Sequence, residues 1–270
     1  MLNKKTRSIS ITSGKGGVGK SSLVANLGLY LSRKGKKVLI FDGDLGMANI
    51  DIMFGQKVQR NVMDLLSDQY SIDDVLTRLS QNLYLISGGS ALPEIQGLNA
   101  YQKKCIIDQM SELEGLFDYL LIDTPPGIDE NVRLLNSSAG EIFVVLTPEP
   151  ASLTDAYALI KVLHLVQKEK NFKIICNQVR SEKDGIRLYE MLQKVCDQFL
   201  NINLEHIASI QRDQAFAQAT RNQELVLNSA PEAPSAEQVR VLADKISGYG
   251  RLGNLKGSMQ FFMGVNQVDL

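Results

Sequence analysis

An eight-residue stretch near the N-terminus has the spacing of a phosphate-binding loop. Gly14-Lys15-Gly16-Gly17-Val18-Gly19-Lys20-Ser21 matches the pattern G-x-x-x-x-G-K-[ST] in full. The glycines let the backbone fold tightly enough to aim successive N–H groups at phosphate oxygens, and the following helix adds its positive N-terminal end. We expect Lys20 to meet the β- and γ-phosphates and Ser21 to offer its hydroxyl to Mg²⁺. With Ser22, this stretch forms the predicted nucleotide-binding loop.

Three aspartates follow apolar runs that have the character of buried strands. Asp42 and Asp44 come after one run, and Asp123 comes after another. In a parallel sheet the carboxyl ends of the strands open into the same crevice as the phosphate loop. Two carboxylates so close together need a cation, although a surface turn would also accommodate them. One of Asp42 and Asp44 is expected to face Mg²⁺, while the other lies nearer to the attacking water.

Asp123 also precedes the sequence Thr124-Pro125-Pro126-Gly127, which we call the switch loop. An apolar strand that ends in aspartate before such a loop fits a Walker B strand followed by a segment that senses the γ-phosphate. We therefore predict that Asp123 is an outer carboxylate of the Mg²⁺ site.

The elements that must position these residues follow from the alternation of short apolar runs with helical patterns. This alternation predicts an α/β fold with a mainly parallel sheet of about seven to eight strands, flanked by helices on both faces. Together with the phosphate loop, it predicts a single P-loop NTPase domain. Helix starts are predicted at Ser152 with Asp155 and at Ser235 with Gln238. The predicted strands are Ser8–Thr12, Lys37–Phe41, Leu83–Ser87, Tyr119–Ile122, Ile142–Leu146, Lys173–Cys176 and Leu204–Ala208.

The C-terminal residues differ in pattern from the rest, so we divide the chain into a domain over residues 1–247 and a tail over residues 248–270. Five glycines interrupt the tail. Leu252, Leu255, Met259, Phe262 and Met263 nevertheless fall near one face at helical spacing. The tail is expected either to bind a membrane surface weakly or to dock in a groove of its own domain. The two expectations are compatible.

Composition excludes several classes of protein. The chain has 270 residues, 29 Lys+Arg against 30 Asp+Glu, and a formal net charge of -1, so a general nucleic-acid coat protein is not expected. The three cysteines form no C-x-x-C pair, which disfavours a zinc or iron–sulfur site. The sequence offers neither a signal-peptide h-region nor an 18-residue apolar run. A cytoplasmic protein is expected.

Several segments carry a resemblance to a known family. The loop with its additional Lys15 resembles the deviant Walker A motif of the MinD/ParA class of ATPases. Three further segments look like the FlhG/FleN branch of that class, which controls the number and placement of bacterial flagella, and the resemblance extends from about residue 8 to 247. These segments are Asp42–Asp51, Thr147–Lys161 and Asn177–Ser181.

The resemblance implies roles for individual residues. Lys15, which could otherwise be a solvated loop lysine, would reach across a dimer interface to the partner's nucleotide. Asp44 would orient the hydrolytic water, and Asp42 would support the Mg²⁺ shell. Asn177 would hydrogen-bond adenine, with Arg212 on the other side of the base. Gln211 stands where a proline is usual, which leaves that side of the pocket open.

The resemblance also implies a cycle in which ATP bridges a homodimer, the dimer engages partners and slow hydrolysis returns monomers. The implied partners are a signal-recognition-particle-like GTPase, flagellar switch-complex proteins, a flagellar transcription activator and, peripherally, the cell membrane. Some family members carry an N-terminal D-Q-A-x-x-L-R element that stimulates the GTPase. No such element precedes the first predicted strand, so stimulation of the GTPase stays open.

Functions of other classes fit the sequence less well. A ParA-type DNA-partitioning ATPase should be basic, yet residues 201–270 hold six Lys+Arg against seven Asp+Glu. Direct nucleic-acid binding is therefore not expected. A nitrogenase-reductase-like electron carrier needs interface cysteines, and no cysteine lies between Cys105 and Cys176. A MinD/ParA-type ATPase for cell division, or a scaffold that binds ATP without turnover, stays open.

Overall fold

The computed structural model describes residues 5–45, 48–67, 69–89 and 99–248. Within these ranges the strands form one eight-stranded sheet in the order β3-β4-β2-β5-β1-β6-β7-β8. All neighbouring strands are parallel except β3 and β4, which are antiparallel. The strands are β1 Arg7–Thr12, β2 Val38–Asp42, β3 Thr77–Ser80, β4 Leu83–Ile86, β5 Tyr119–Asp123, β6 Glu141–Leu146, β7 Phe172–Val179 and β8 Leu204–Gln211.

Helices cover both faces of this sheet because alternate strand residues point to opposite sides. On one face, Ile40 packs in the same apolar cluster as α1 and α10, whereas its neighbour Leu39 packs with α4 on the other face. The predicted fold class is thereby confirmed. The helices are α1 Lys20–Arg33, α2 Ile50–Met53, α3 Ile72–Val75, α4 Ala100–Ser111, α5 Glu130–Ser138, α6 Pro150–Gln167, α7 Glu182–Leu200, α8 Gln214–Arg221, α9 Val226–Ser229 and α10 Pro234–Gly248, with a 3₁₀ helix at Val62–Leu66.

The two predicted helix starts are wrong in detail. Helix α6 begins at Pro150, and the Ser152 hydroxyl accepts the backbone N–H of Thr147 at 3.0 Å. Helix α10 begins at Pro234, and the Ser235 hydroxyl donates to Asp213 Oδ2 at 2.7 Å. In both places the serine fastens its helix to a neighbouring segment instead of capping its own first turn.

A buried ion cluster fastens the amino ends of the central strands. Glu141 at the start of β6 accepts hydrogen bonds from Arg7 of β1 and Lys173 of β7, the latter at 2.8 Å. Arg7 also donates to the backbone carbonyl of Ile246 near the end of α10. Burial favours the neutral form of Glu141, but these bonds outweigh it and hold the pKa of the carboxyl below its ordinary value. The cluster therefore joins three strands to the last described helix.

Among the described helices, none has the length and apolarity required to cross a bilayer. The predicted tail lies, apart from Gly248, outside the described residues, so the boundary after residue 247 stays a prediction.

Candidate active site

The phosphate loop occupies the turn between β1 and α1, as the sequence predicts. Gly17 and Gly19 have φ values of 76° and 92°, in the left-handed region that glycine adopts without strain. Gly14 is required by close packing, because a Cβ there would lie 2.2 Å from the carbonyl oxygen of Asp155 in α6. Two different constraints, backbone conformation and contact with a neighbouring helix, therefore explain three of the four glycines of this loop.

The buried side chain of Lys20 lies at the base of the loop. Its Nζ donates to Ser13 Oγ at 2.8 Å, and Ser13 Oγ in turn donates to the carbonyl oxygen of Lys15 at 2.6 Å. Burial lowers the pKa of Lys20, while the charges of Asp123 and Asp44 act in the opposite direction. Sequence reasoning did not identify Ser13, since a serine beside a glycine-rich loop carries no distinct signal.

Asp42 and Asp123 are register partners at the ends of β2 and β5. Burial raises the pKa of Asp42 to about 6, although its carboxylate accepts the backbone N–H groups of Asp44, Asn49 and Ile50 at 3.2, 3.0 and 3.3 Å. These bonds hold the segment that follows β2 against the end of the strand.

Asp123 is buried more completely and is short of hydrogen-bond partners. Burial raises its pKa to about 7, repulsion from Asp42 adds to the shift, and the Ser21 hydroxyl and Lys20 oppose it. Its Oδ1 atom is buried without a hydrogen-bond partner. A hydroxyl beside carboxylates with a spare oxygen is a donor set that suits Mg²⁺. Ser21 and Asp123 therefore fit the ion, with Asp42 next to them.

Within the described ranges, no group of three or more His, Cys, Asp or Glu side chains could hold a metal ion alone. Mg²⁺ commonly takes one or two protein ligands together with substrate phosphates and water. The arrangement around Ser21 and Asp123 accordingly fits an ion that shares its coordination with a nucleotide.

Lys15 lies apart from this buried group. Its Nζ pairs with the carboxylate of Glu149, the N-cap residue of α6, and the two side chains are 38% and 63% exposed. Surface ion pairs of this kind contribute little to stability. Lys15 is therefore accessible to a second molecule and pairs with the start of α6, whereas the Lys20 ammonium donates to Ser13.

Asn177 braces the phosphate loop. Its Nδ2 donates to the carbonyl oxygen of Val18 at 2.7 Å, and its Oδ1 accepts the backbone N–H of Gln178 at 2.9 Å. Gln178 has a φ of 57°, and its side chain donates to the Gly17 carbonyl at 3.5 Å. A Cβ at Gly19 would lie 2.6 Å from Asn177 Nδ2, so the brace also requires that glycine. Sequence reasoning missed the role of Gln178.

Two cavities flank the loop. Lys20, Ser21 and Ser22 line one cavity of about 340 Å³, together with Thr220 of α8 and Gln223 just after that helix. The other cavity, of about 550 Å³, has a different lining: Thr147, Pro148, Glu149, Pro150, Gln178, Arg180, Asp184 and Arg212.

The structure thus places Arg212 and Lys20 in different cavities. Asn177 contacts the phosphate loop itself, with both ends of its amide engaged. The adenine contacts assigned to Asn177 and Arg212 stay predictions.

A mainly parallel sheet with a phosphate loop after its central strand, and carboxylates at the ends of two further strands, defines the class of P-loop nucleoside triphosphatases. Comparison with known proteins narrows this class. The sequence profile described as AAA domain matches residues 6–176. The antiactivator FleN of Pseudomonas aeruginosa is 31% identical over 255 residues, which cover 94% of this chain and 91% of FleN.

A second relative is the flagellum site-determining protein YlxH of Helicobacter pylori, 33% identical over 90% of this chain and 81% of its own length. Among solved structures, the septum site-determining protein MinD of Pyrococcus horikoshii, complexed with Mg-ADP, has a TM-score of 0.75. That structure is 29% identical and covers 90% of this chain and 96% of its own. The chain belongs to the FlhG/FleN family of MinD/ParA-class P-loop ATPases, as the resemblance predicts. This class comprises ATPases that determine the positions of structures in the cell, such as flagella and septa.

Proposed function

We propose that this protein is an ATP-dependent dimerising switch that regulates the number and placement of bacterial flagella. The observation that carries the proposal is the similarity to FleN and YlxH over at least 90% of the chain. The MinD of Synechocystis is 36% identical but covers only 69% of this chain. Other MinD proteins align over 85% and 88% of the chain at 31% and 28% identity, so FleN and YlxH combine greater sequence coverage with equal or higher identity.

ATP is the substrate and Mg²⁺ the cofactor. When bound, Mg²⁺ neutralises charge that develops on the phosphate oxygens. The chain's own residues would bind and orient these groups: Lys20 would contact the β- and γ-phosphates, Ser21 and Asp123 would hold the ion, and Asp44 would orient the attacking water. Asp42 secures the backbone that carries Asp44, through the hydrogen bonds to the segment after β2.

Lys15 supplies the link between hydrolysis and dimerisation. Its exposure and its weak surface pairing with Glu149 leave it free to exchange Glu149 for a phosphate group bound to a second copy. A cation aimed at developing phosphate charge stabilises the transition state, so each protomer would complete the site of the other.

The partners we propose are a signal-recognition-particle-like flagellar GTPase, flagellar switch-complex proteins and a flagellar transcription activator. The designation of FleN as an antiactivator supports the last of these. A complex of MinC with MinD from Aquifex aeolicus shows that a member of the class assembles with a partner protein. We place the protein in the cytoplasm, with peripheral membrane contact through the tail that lies outside the described residues.

The experiment replaces Asp44 by alanine in the chromosome and counts flagella per cell. We expect altered flagellar number or placement, because the variant would bind ATP and persist as the dimer. Asp73→Ala, a loss of carboxylate on the short helix α3, is the matched control and should resemble the wild type. Normal flagella together with displaced septa or lost plasmids would favour the cell-division or DNA-partition alternative and reject the flagellar one.

A further inference from the structure

A hydrogen-bonded polar cluster lies buried between β1, the switch loop and α5. Its members are at most 2% exposed: Ser10 and Thr12 of β1, Thr124 of the switch loop and Asn136 of α5. Burying an amide or hydroxyl is costly unless its hydrogen bonds are made. Four such groups beside the phosphate loop therefore indicate a specific arrangement rather than general packing.

Asn136 is the centre of the cluster. Its Nδ2 donates to Thr12 Oγ1 at 3.1 Å and to the carbonyl oxygen of Val132 at 2.8 Å. Its Oδ1 accepts the Ser10 hydroxyl at 2.9 Å. Thr12 Oγ1 also accepts the hydroxyl of Thr124 at 2.9 Å. One asparagine thus connects the helix after the switch loop to the strand before the phosphate loop.

The switch loop lies directly against the phosphate loop. The N–H of Gly127 donates to the Ser13 carbonyl at 3.1 Å, and that of Thr124 donates to the Ile11 carbonyl at 3.2 Å. A Cβ at Gly16 would lie 3.8 Å from Pro126 Cγ. Because Asn136 of α5 and Thr124 of the switch loop both bond to Thr12, a shift of α5 would disturb the contact between the switch loop and the phosphate loop.

We propose that Asn136 is a positioning residue for ATP hydrolysis, which holds the switch loop in register with the phosphate loop through Thr12 and Thr124. This proposal rests on the ATPase activity in the proposed function. Asn136 bonds to side chains of β1, whereas Asn177 bonds to the phosphate-loop backbone at Val18. The two buried asparagines should therefore have different roles: Asn136 supports turnover of ATP, and Asn177 supports binding of ATP.

The first test compares ATP turnover with ATP affinity. Asn136→Leu should lower kcat about 10-fold or more, since small misplacements of reacting groups are costly. Its Kd for ATP should stay within about threefold of the wild type, because the phosphate-loop backbone and Lys20 keep their contacts. Asn177→Ala should show the opposite, with weaker ATP binding.

Thr6→Val is the matched control for stability. Thr6 is also buried and also makes two hydrogen bonds, to the Phe117 carbonyl and from the Gly115 N–H, but at the other end of β1. Thr6→Val should lower the free energy of unfolding without changing kcat. A second pair covers the case in which Asn136→Leu fails to fold: Thr124→Ser keeps the hydroxyl and should keep turnover, whereas Thr124→Val should not.

Amide hydrogen exchange supplies a readout that does not depend on turnover. In Asn136→Leu the Gly127 amide should exchange about 10-fold faster, the equivalent of one lost hydrogen bond, while the Arg7 amide stays protected. A wild-type protein without turnover would contradict the proposed ATPase function, and exchange would still decide the positioning role. If Asn136→Leu matches Thr6→Val in kcat and leaves Gly127 protected, the cluster is only structural and our inference is wrong.

Discussion

Burial lowers the pKa of the Lys20 ammonium, and the charges of two nearby carboxylates raise it. Burial is the larger effect, so the pKa lies below its ordinary value. Replacing Lys20 by alanine removes a cation next to the carboxylates of Asp123 and Asp44. We expect Lys20→Ala to weaken binding of ATP with Mg²⁺ about 100-fold or more, the scale of a charge-assisted hydrogen bond. Titration calorimetry measures the affinity.

Lys15→Ala is the matched control for this change, because Lys15 is in the same loop but exposed and paired with Glu149. It should retain the wild-type affinity. Equal binding by the wild type and Lys20→Ala would show that the phosphate loop is misassigned.

The residues that sequence reasoning assigned and those that it missed differ in how their positions are determined. Chain direction alone places the carboxyl ends of β2 and β5 beside the phosphate loop, so Asp42 and Asp123 were predictable neighbours. Ser13 and Gln178 bond to backbone carbonyls of the loop, and Gln178 itself has a left-handed backbone conformation. No rule of sequence spacing predicts such contacts.

At the scale of elements, the seven predicted strands are all present, because continuous apolar runs are a strong signal for strands covered on both faces. Strand β3 was missed. Its four residues, Thr77–Ser80, are partly buried or exposed, pair antiparallel at the edge of the sheet and include no continuous apolar run. The two helix starts failed for a related reason: serine hydroxyls have several possible acceptors, and tertiary contacts decide among them.

The ion cluster at the amino ends of the strands gives a stability prediction for these elements. Glu141→Gln would remove the buried charge that Arg7 and Lys173 share, so unfolding at pH 7 should require about 3 kcal/mol less. Urea denaturation measures the change. Glu205→Gln is the control, since Glu205 is 46% exposed and lies 3.9 Å from Lys173.

The stability that the Glu141 carboxylate contributes should depend on pH. Because its folded-state pKa is below the ordinary 4.5, the contribution is fully present above pH 4.5 and is lost as the pH falls through the folded value. The difference between Glu141→Gln and the wild type should therefore shrink in acid. A difference that is constant from pH 7 to strongly acidic pH would contradict the role of the charged carboxylate.

At the scale of the whole molecule, we predict that the tail binds the membrane. If dimerisation displaces it from its own domain, the same apolar face could bind lipid, so sedimentation with anionic liposomes should rise with ATP over ADP. Truncation after Gly250 should abolish the sedimentation. Equal sedimentation with both nucleotides, or sedimentation that survives truncation, would reject this proposal.

The cycle between monomer and ATP-bound dimer is the other property of the whole molecule. Two single substitutions should block it at different steps. Asp44→Ala should bind ATP and accumulate as a dimer, because the water-orienting carboxylate is lost while Lys15 is intact. Lys15→Ala should bind ATP but lose turnover about 100-fold or more, because a cation aimed at the transition state is removed. Size-exclusion chromatography with saturating ATP, together with phosphate release, distinguishes the two variants. An Asp44→Ala protein that stays monomeric under these conditions would contradict a dimer closed around ATP, since blocked hydrolysis should trap that state.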